Sequence, residues 1–182
     1  MSLGLYLHIP YCFSKCRYCD FYSHPGERGV PDAYVEALVR ELDRFAPERP
    51  LQPDTLYFGG GTPSLLRPEQ AKRLIDAARP LPGAEITLEA NPETVTEQSL
   101  AGFREAGVNR ISFGVQSARD TQLRTLGRPH TAKQARAAFA AARRAGFANI
   151  SGDIMLALPH YTEAEFDETL ELIEDGGVTH IS

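Results

Sequence analysis

Short apolar runs alternate with amphipathic stretches along the whole chain. The apolar runs have the length of buried strands, and the stretches between them carry apolar residues at helical spacing. Five runs are predicted as strands: Leu5–Ile9, Thr55–Phe58, Ile86–Ala90, Ile111–Val115 and Ile150–Leu156. Because strands that are separated by helices pair in parallel through right-handed crossovers, this pattern predicts an α/β fold with a parallel sheet.

Five amphipathic helices are predicted to follow these strands. Pro31 is suited to begin the first helix. Capping boxes begin the last two, at Thr131 and at Thr162. The residues expected on the buried faces are Tyr34, Val35, Leu38, Leu42 and Phe45 in the first helix, Leu74, Ile75 and Ala78 in the second, Leu100 and Phe103 in the third, Ala135, Ala138, Phe139 and Ala142 in the fourth, and Phe166, Leu170 and Ile173 in the fifth.

A six-residue pattern recurs at Gly107–Ser112, Gly146–Ser151 and Gly177–Ser182. Each copy is typical of a glycine that ends a helix, a short turn and the start of a strand. The third copy therefore predicts a sixth strand at the end of the chain. A complete eight-unit barrel needs about 250 residues, so we interpret the chain as a partial (β/α)6 barrel of parallel strands that is truncated in its sixth strand. An open doubly wound sheet is the alternative.

Composition and charge narrow the class of protein. The 182 residues are 42% hydrophobic and 24% charged, which indicates one globular domain or part of one. The formal charge of −5 offers no electrostatic footprint for nucleic acid. No apolar run reaches the ~18 residues of a membrane span, and the N-terminus lacks the pattern of a signal peptide. We therefore expect a cytoplasmic protein with no nucleic-acid partner and no integral membrane segment.

The three cysteines, Cys12, Cys16 and Cys19, lie together directly after the first predicted strand. An odd number in one short cluster cannot form a disulfide framework, and clustered thiols in a reducing compartment are usually metal ligands or redox groups. Iron–sulfur clusters ordinarily take four cysteines, so three would leave one iron open to a substrate. A zinc site is the alternative, and a thiol–disulfide role is weaker. A zinc ion would need a fourth ligand, for which the nearby candidates are His8, Asp20 and His24.

These motifs together resemble the radical S-adenosylmethionine (SAM) family. Cys12-x3-Cys16-x2-Cys19 follows the first strand, and Gly-Gly-Gly-Thr-Pro at 59–63 follows the second. The resemblance covers essentially the whole chain. Within the family, the chain resembles the branch that contains oxygen-independent coproporphyrinogen III oxidases and HemW-type heme chaperones. The wider matches are Leu5–Cys12, Tyr57–Ser64, Glu89–Pro92, Ile111–Ser117, Leu126–His130 and Asp153 with Leu158-Pro159.

One position separates the two members of this branch. The oxidases typically carry a further cysteine two residues past the third cluster ligand, where this chain has Phe21. The resemblance therefore implies a heme chaperone that delivers heme to client proteins, with a coproporphyrinogen III oxidase as the alternative and a structural zinc domain as a remote one. Whether the protein is an enzyme stays open. A departure from the family is Ala157, where glycine is common.

The resemblance also implies the cofactors and their sites. A [4Fe-4S] cluster would be held by Cys12, Cys16 and Cys19, and His8 is expected to support the cluster loop. Residues 1–182 would be the N-terminal part of the radical SAM core domain. Heme or a porphyrin would bind beyond residue 182 as cargo for an unidentified client. The predicted SAM contacts are Tyr6, Tyr18, Gly60, Gly61, Thr62, Glu89, Gln116, Arg128 and Asp153.

Two of these sites also have a physical rationale. The glycine-rich turn lacks side chains where the amino and carboxylate groups of SAM would approach, which would leave backbone groups free to bind them. Arg128 is a candidate partner for the carboxylate, because a guanidinium binds a carboxylate through two parallel hydrogen bonds.

Overall fold

A computed structural model of the protein describes residues 2–45, 51–158 and 160–182, which contain eight strands and six α-helices. The strands are β1 Gly4–Ile9, β2 Tyr11–Cys12, β3 His24–Pro25, β4 Thr55–Gly60, β5 Glu85–Ala90, β6 Arg110–Gln116, β7 Asn149–Ile154 and β8 His180–Ile181. The helices are α1 Asp32–Phe45, α2 Pro68–Ala78, α3 Glu97–Ala106, α4 Asp120–Leu126, α5 Ala132–Arg144 and α6 Glu163–Asp175. Two 3₁₀ turns, Pro63–Leu65 and Pro92–Thr94, follow β4 and β5.

Six strands form one parallel sheet in the order β1-β4-β5-β6-β7-β8. Each strand therefore lies beside the previous long strand of the chain. A doubly wound sheet reverses its order at a switch point, so that alternative is wrong and the partial (β/α)6 barrel is confirmed. The short strands β2 and β3 pair with each other. They lie at the two ends of residues 11–25, which carry the three cysteines and are called the cysteine segment below.

The middle of the sheet is the most buried part of the fold. Phe58 of β4, Leu88 of β5 and Ile111 of β6 are fully buried. Side chains of this kind contribute about 1.5–3 kcal/mol each when they leave water. The predicted inner faces of three helices are buried against this layer: Leu74, Ile75 and Ala78 in α2, Leu100 and Phe103 in α3, and Ala135, Ala138, Phe139 and Ala142 in α5.

The first and last helices differ in part from the sequence prediction. Phe45 is 76% exposed because it is the final residue of α1 and extends past the packed face. In α6, Phe166 and Leu170 are only partly buried, whereas Thr169 is fully buried. The Thr169 hydroxyl accepts a hydrogen bond from the backbone N–H of Ala118 at 3.1 Å. The buried face of this helix therefore includes a polar residue that the apolar pattern did not predict.

Strand β7 ends at Ile154, two residues earlier than predicted. Ala157 follows with φ = +55°, the left-handed region that favours glycine. Ala157 thus adopts a backbone conformation that suits the glycine expected at this position. Of the matched Leu158-Pro159 pair, Pro159 lies outside the described residues.

Helix α4 was not predicted, because its seven residues bury only Leu123 and Leu126. It ends at Gly127, which has φ = +74°, and the chain then brings Arg128 back to the carboxyl edge of the sheet. No helix in the described part of the chain is long and apolar enough to cross a membrane.

Candidate functional site

A cavity of about 340 Å³ lies at the carboxyl edge of the sheet. The ends of β4, β5, β6 and β7 form one side of it, and the segment between β1 and α1 that carries the cysteines forms the other. Because the carboxyl ends of parallel strands meet at one edge, residues far apart in sequence converge there. The predicted site residues that line the cavity are Cys12, Cys16, Tyr18, Cys19, Gly60, Gly61, Thr62, Glu89, Gln116, Arg128 and Asp153.

Tyr6 is the predicted site residue that does not line this cavity. Its side chain is 53% exposed, and its ring stacks on the ring of Tyr57 with the centroids 6.0 Å apart. Tyr57 itself lines the cavity, so Tyr6 lies one side chain away from it. Tyr57 was not among the predicted site residues, although it alternates with the buried residues of β4.

His8 holds the cysteine segment near its carboxyl end. His8 Nε2 lies 2.9 Å from the carbonyl oxygen of Tyr22, near the end of the segment, and His8 Nδ1 lies 3.2 Å from the hydroxyl of Tyr6. The structure thus shows the support that was expected of His8. These contacts occupy both ring nitrogens, so His8 is not placed as a metal ligand.

The glycine-rich turn packs tightly against that segment. A Cβ on Gly60 would lie 2.6 Å from the His8 ring, and a Cβ on Gly61 would lie 2.7 Å from the carbonyl oxygen of Tyr11. The N–H groups of Gly61 and Thr62 donate to the carbonyls of Ile9 and Tyr11, both at 2.8 Å. The prediction that this turn leaves its backbone free for a ligand is therefore wrong for these N–H groups, which bind the cysteine segment instead.

Two carboxylates lie inside the cavity. Glu89 accepts hydrogen bonds from the Tyr57 hydroxyl at 2.7 Å and from the Gly60 N–H at 3.2 Å. Asp153 accepts one from the Ser112 hydroxyl at 3.0 Å. Burial raises the pKa of both carboxyl groups, because a low-dielectric site disfavours the charged form, while these hydrogen bonds oppose the shift.

Arg128 is buried, and its guanidinium binds protein groups. Nη1 donates to Cys16 Sγ at 3.2 Å, and Nη2 donates to Asn91 Oδ1 at 2.8 Å and to the carbonyl of Gly114. A Cβ at Gly114 would lie 2.5 Å from Nη2, so a larger residue there would displace the end of the Arg128 side chain. Burial raises the pKa of neighbouring Tyr18 to about 12, although the positive charge of Arg128 opposes that shift.

Gln116 lines the cavity, and its backbone is irregular. The pairing of β6 with β7 shifts register between Gly114 and Gln116, and Gln116 has φ = +69°. A non-glycine residue in this region costs of order 1–3 kcal/mol unless the surrounding structure holds it. Gln116 lines the cavity together with Ser112 and Gly114, which lie on the same face of β6.

The donor set fits an iron–sulfur cluster better than a single metal ion. Within the ranges that the structure describes, no three His, Cys, Asp or Glu side chains are grouped as one ion would require. All three thiols nevertheless line one cavity as free cysteines, and two of them receive hydrogen bonds, from Thr62 and from Arg128. Three free thiols that line one cavity are ligands of the type that an iron–sulfur cluster takes.

The family model of the radical SAM superfamily matches residues 6–173. The chain therefore belongs to that superfamily, and this membership implies SAM and a [4Fe-4S] cluster.

Individual relatives narrow the similarity. The chain is 44% identical over 165 residues to the heme chaperone HemW of Escherichia coli (strain K12), which covers 86% of this chain and 43% of that protein. It is 36% identical over 187 residues to the HemW of Mycobacterium tuberculosis (strain ATCC 25618 / H37Rv), covering 98% and 48%. The coproporphyrinogen III oxidase HemN of Escherichia coli, described as a radical SAM enzyme, has a similar structure, with a TM-score of 0.85, 29% identity, and coverage of 99% of this chain and 44% of that one. The chain thus spans less than half the length of these relatives.

Proposed function

We propose that this chain is the cluster-binding and SAM-binding part of a heme chaperone of the HemW type. The observation that carries the proposal is the meeting of three free thiols and two partly buried carboxylates in one cavity at the carboxyl edge of the sheet. The names of the curated relatives support the chaperone, and so does Phe21 at the position where the oxidases carry a further cysteine.

In this proposal Cys12, Cys16 and Cys19 hold the [4Fe-4S] cluster. When bound, the cluster supplies the electron that cleaves SAM in this family. Glu89 and Asp153 offer acceptor oxygens to the amino and ribose hydroxyl groups of SAM. The amide, guanidinium and hydroxyl groups that complete the proposed set belong to Gln116, Arg128, Thr62, Tyr18 and Tyr6, and the backbone of Gly60 and Gly61 shapes the cavity beside them.

Two further proposals concern the longer protein. The heme or porphyrin and its client would bind outside residues 1–182, which we propose to be the N-terminal part of the radical SAM core domain. We also propose a reducing, cytoplasmic setting, because three clustered thiols remain free. The oxidase is the second candidate, supported by the structural similarity to the coproporphyrinogen III oxidase.

Anaerobic reconstitution with iron and sulfide tests the cluster. We expect about four irons per chain and SAM-dependent changes in the cluster spectrum, both lost in Cys16→Ala. Ser14→Ala is the matched control, because Ser14 lies in the same segment and lines the same cavity without supplying a thiol. Binding of about one zinc ion with no affinity for SAM would instead identify a structural zinc domain.

The full-length protein separates the chaperone from the oxidase. We expect stable heme binding, followed by absorbance, and no vinyl formation when coproporphyrinogen III and SAM are supplied without oxygen. Catalytic conversion of propionates to vinyl groups would contradict the chaperone and establish the oxidase.

A further inference from the structure

Asn91, at the end of β5, lies between two hydrogen-bonded arms that each end on a cysteine sulfur. In the first arm, Asn91 Nδ2 donates to Thr62 Oγ1 at 3.2 Å, and Thr62 Oγ1 donates to Cys12 Sγ at 3.6 Å. In the second arm, Arg128 donates through Nη2 to Asn91 Oδ1 at 2.8 Å and through Nη1 to Cys16 Sγ at 3.2 Å. One amide therefore joins the donors to two thiols.

The direction of every hydrogen bond in these two arms follows from Arg128. A guanidinium only donates, so the oxygen of the Asn91 amide must face it and the NH₂ group must face Thr62. The Thr62 hydroxyl then accepts from Asn91, which leaves its own proton to point at Cys12. If the amide were reversed, its NH₂ group would meet a donor and its oxygen would draw the hydroxyl proton away from the sulfur.

The backbone of Asn91 is held independently of these two arms. Its carbonyl accepts from the Thr94 hydroxyl at 2.8 Å and from the Thr94 N–H at 3.0 Å. The Thr94 hydroxyl also contacts the Ser64 hydroxyl at 2.6 Å, which ties together the 3₁₀ turns after β4 and β5. Asn91 is thus anchored on its main chain, and its side chain is oriented by its partners.

We propose that Asn91 is a positioning residue that sets the reduction potential of the cluster through these two arms. A reduced cluster carries one more negative charge, and hydrogen bonds donated to its sulfur ligands stabilise that charge and raise the potential. Asn91 contacts neither sulfur; it fixes which way the Thr62 proton points and holds the Arg128 guanidinium in place. The proposal rests on the cluster of the proposed function.

The test is the midpoint potential of reconstituted protein without SAM, measured by electron paramagnetic resonance during a redox titration. Asn91→Leu removes the hydrogen bonds of the side chain to both Thr62 and Arg128. Asn91→Asp keeps the Arg128 contact but turns the Thr62 proton toward a carboxylate. Both variants should have a more negative potential than the wild type. A shift of about 59 mV would correspond to a tenfold weaker reduction equilibrium for one electron. Asn149→Asp, at the opposite end of the sheet, should leave the potential unchanged.

A second pair of variants applies if Asn91 substitutions prevent cluster assembly. Thr62→Ser keeps the hydroxyl and should retain the wild-type potential, whereas Thr62→Val should lower it. Where Asn91→Leu does assemble a cluster, the shifts in Asn91→Leu/Thr62→Val should add only in part, because both changes act on the proton at Cys12. The inference is overturned if variants that hold about four irons and still bind SAM have the wild-type potential, an outcome that leaves the proposed function intact. Failure of the wild type to assemble a cluster would overturn the proposed function itself.

Discussion

At the scale of single residues, the cavity combines groups that are poorly solvated with groups that have no room to move. Glu89 and Asp153 are partly buried carboxylates with few hydrogen-bond partners, and Gly61 fits where no side chain could. Carboxylates of this kind lower the stability of a fold unless a hydrogen-bond partner or a ligand compensates for their lost hydration. Glu89 and Gly61 are each tested by one substitution.

The first substitution concerns the pH dependence of stability. Burial raises the pKa of Glu89, so the folded chain keeps this proton to a higher pH than the unfolded chain does. The stabilisation is present below the unfolded pKa and is lost as the pH rises through the folded pKa. Glu89→Gln stays neutral, so its free energy of unfolding should fall less than that of the wild type from pH 4.5 to 7. Denaturant titrations across this range measure the difference, and exposed Glu105→Gln should behave as the wild type.

The second substitution concerns the contact between the glycine-rich turn and the cysteine segment. In Gly61→Ala, the new Cβ would meet two backbone carbonyl oxygens within 3 Å and Cys12 Sγ at 3.0 Å. The backbone must therefore shift, at a cost of about 1–3 kcal/mol, and iron incorporation should fall. Gly29→Ala is the matched control, because its nearest neighbour is 4.0 Å away. Equal stability and iron content in the two variants would contradict the packing described here.

At the scale of elements, the strands and most helices can be predicted from the sequence because their apolar patterns extend over many residues. Helix α4 could not be predicted in this way, because seven residues with two buried leucines are too few to show a helical repeat. The positions of the cysteines, Glu89 and Asp153 at strand ends could be predicted from spacing and topology. The bonds of Arg128 to Cys16 and Asn91 could not, because they join side chains 112 and 37 residues apart whose orientation depends on tertiary packing.

The turn after β7 yields a prediction at this scale. Ala157 has φ = +55°, where an L-residue with a Cβ is strained and glycine is not. Ala157→Gly should therefore raise the free energy of unfolding by about 0.5–1 kcal/mol, after the greater entropy of glycine in the unfolded chain is included. Ala145→Gly, at φ = −71°, should instead lower it by a similar amount. Destabilisation by both changes, in chemical denaturation, would contradict the strain at Ala157.

At the scale of the whole molecule, stability is unevenly distributed. The core runs through β4, β5 and β6, whereas residues 13–29 are mostly exposed and β8 has only two residues. Local opening needs least free energy where few apolar contacts must break. The segment that carries the proposed cluster ligands is therefore expected to be the easiest part of the site to open.

Hydrogen exchange followed by mass spectrometry tests this distribution. Without a cluster, amides of β4, β5 and β6 should exchange slowest, and those of residues 13–29 fastest. Cluster assembly should slow exchange in 13–29 by at least tenfold and leave the central strands unchanged, because ligand binding orders the loop that supplies the thiols. Loop protection equal to that of β5 before assembly would contradict the expectation.

The order of the strands also has a consequence for biosynthesis. The thiols leave the ribosome first, whereas Thr62, Asn91 and Arg128 emerge later and Asp153 emerges 134 residues after Cys19. At typical rates of elongation, a nascent chain would hold its sulfur atoms uncovered for roughly 7 to 27 s before the pocket around them could close. Oxidative damage to these thiols should therefore depend on the rate of translation, with slow codons after the first strand prolonging the period of risk.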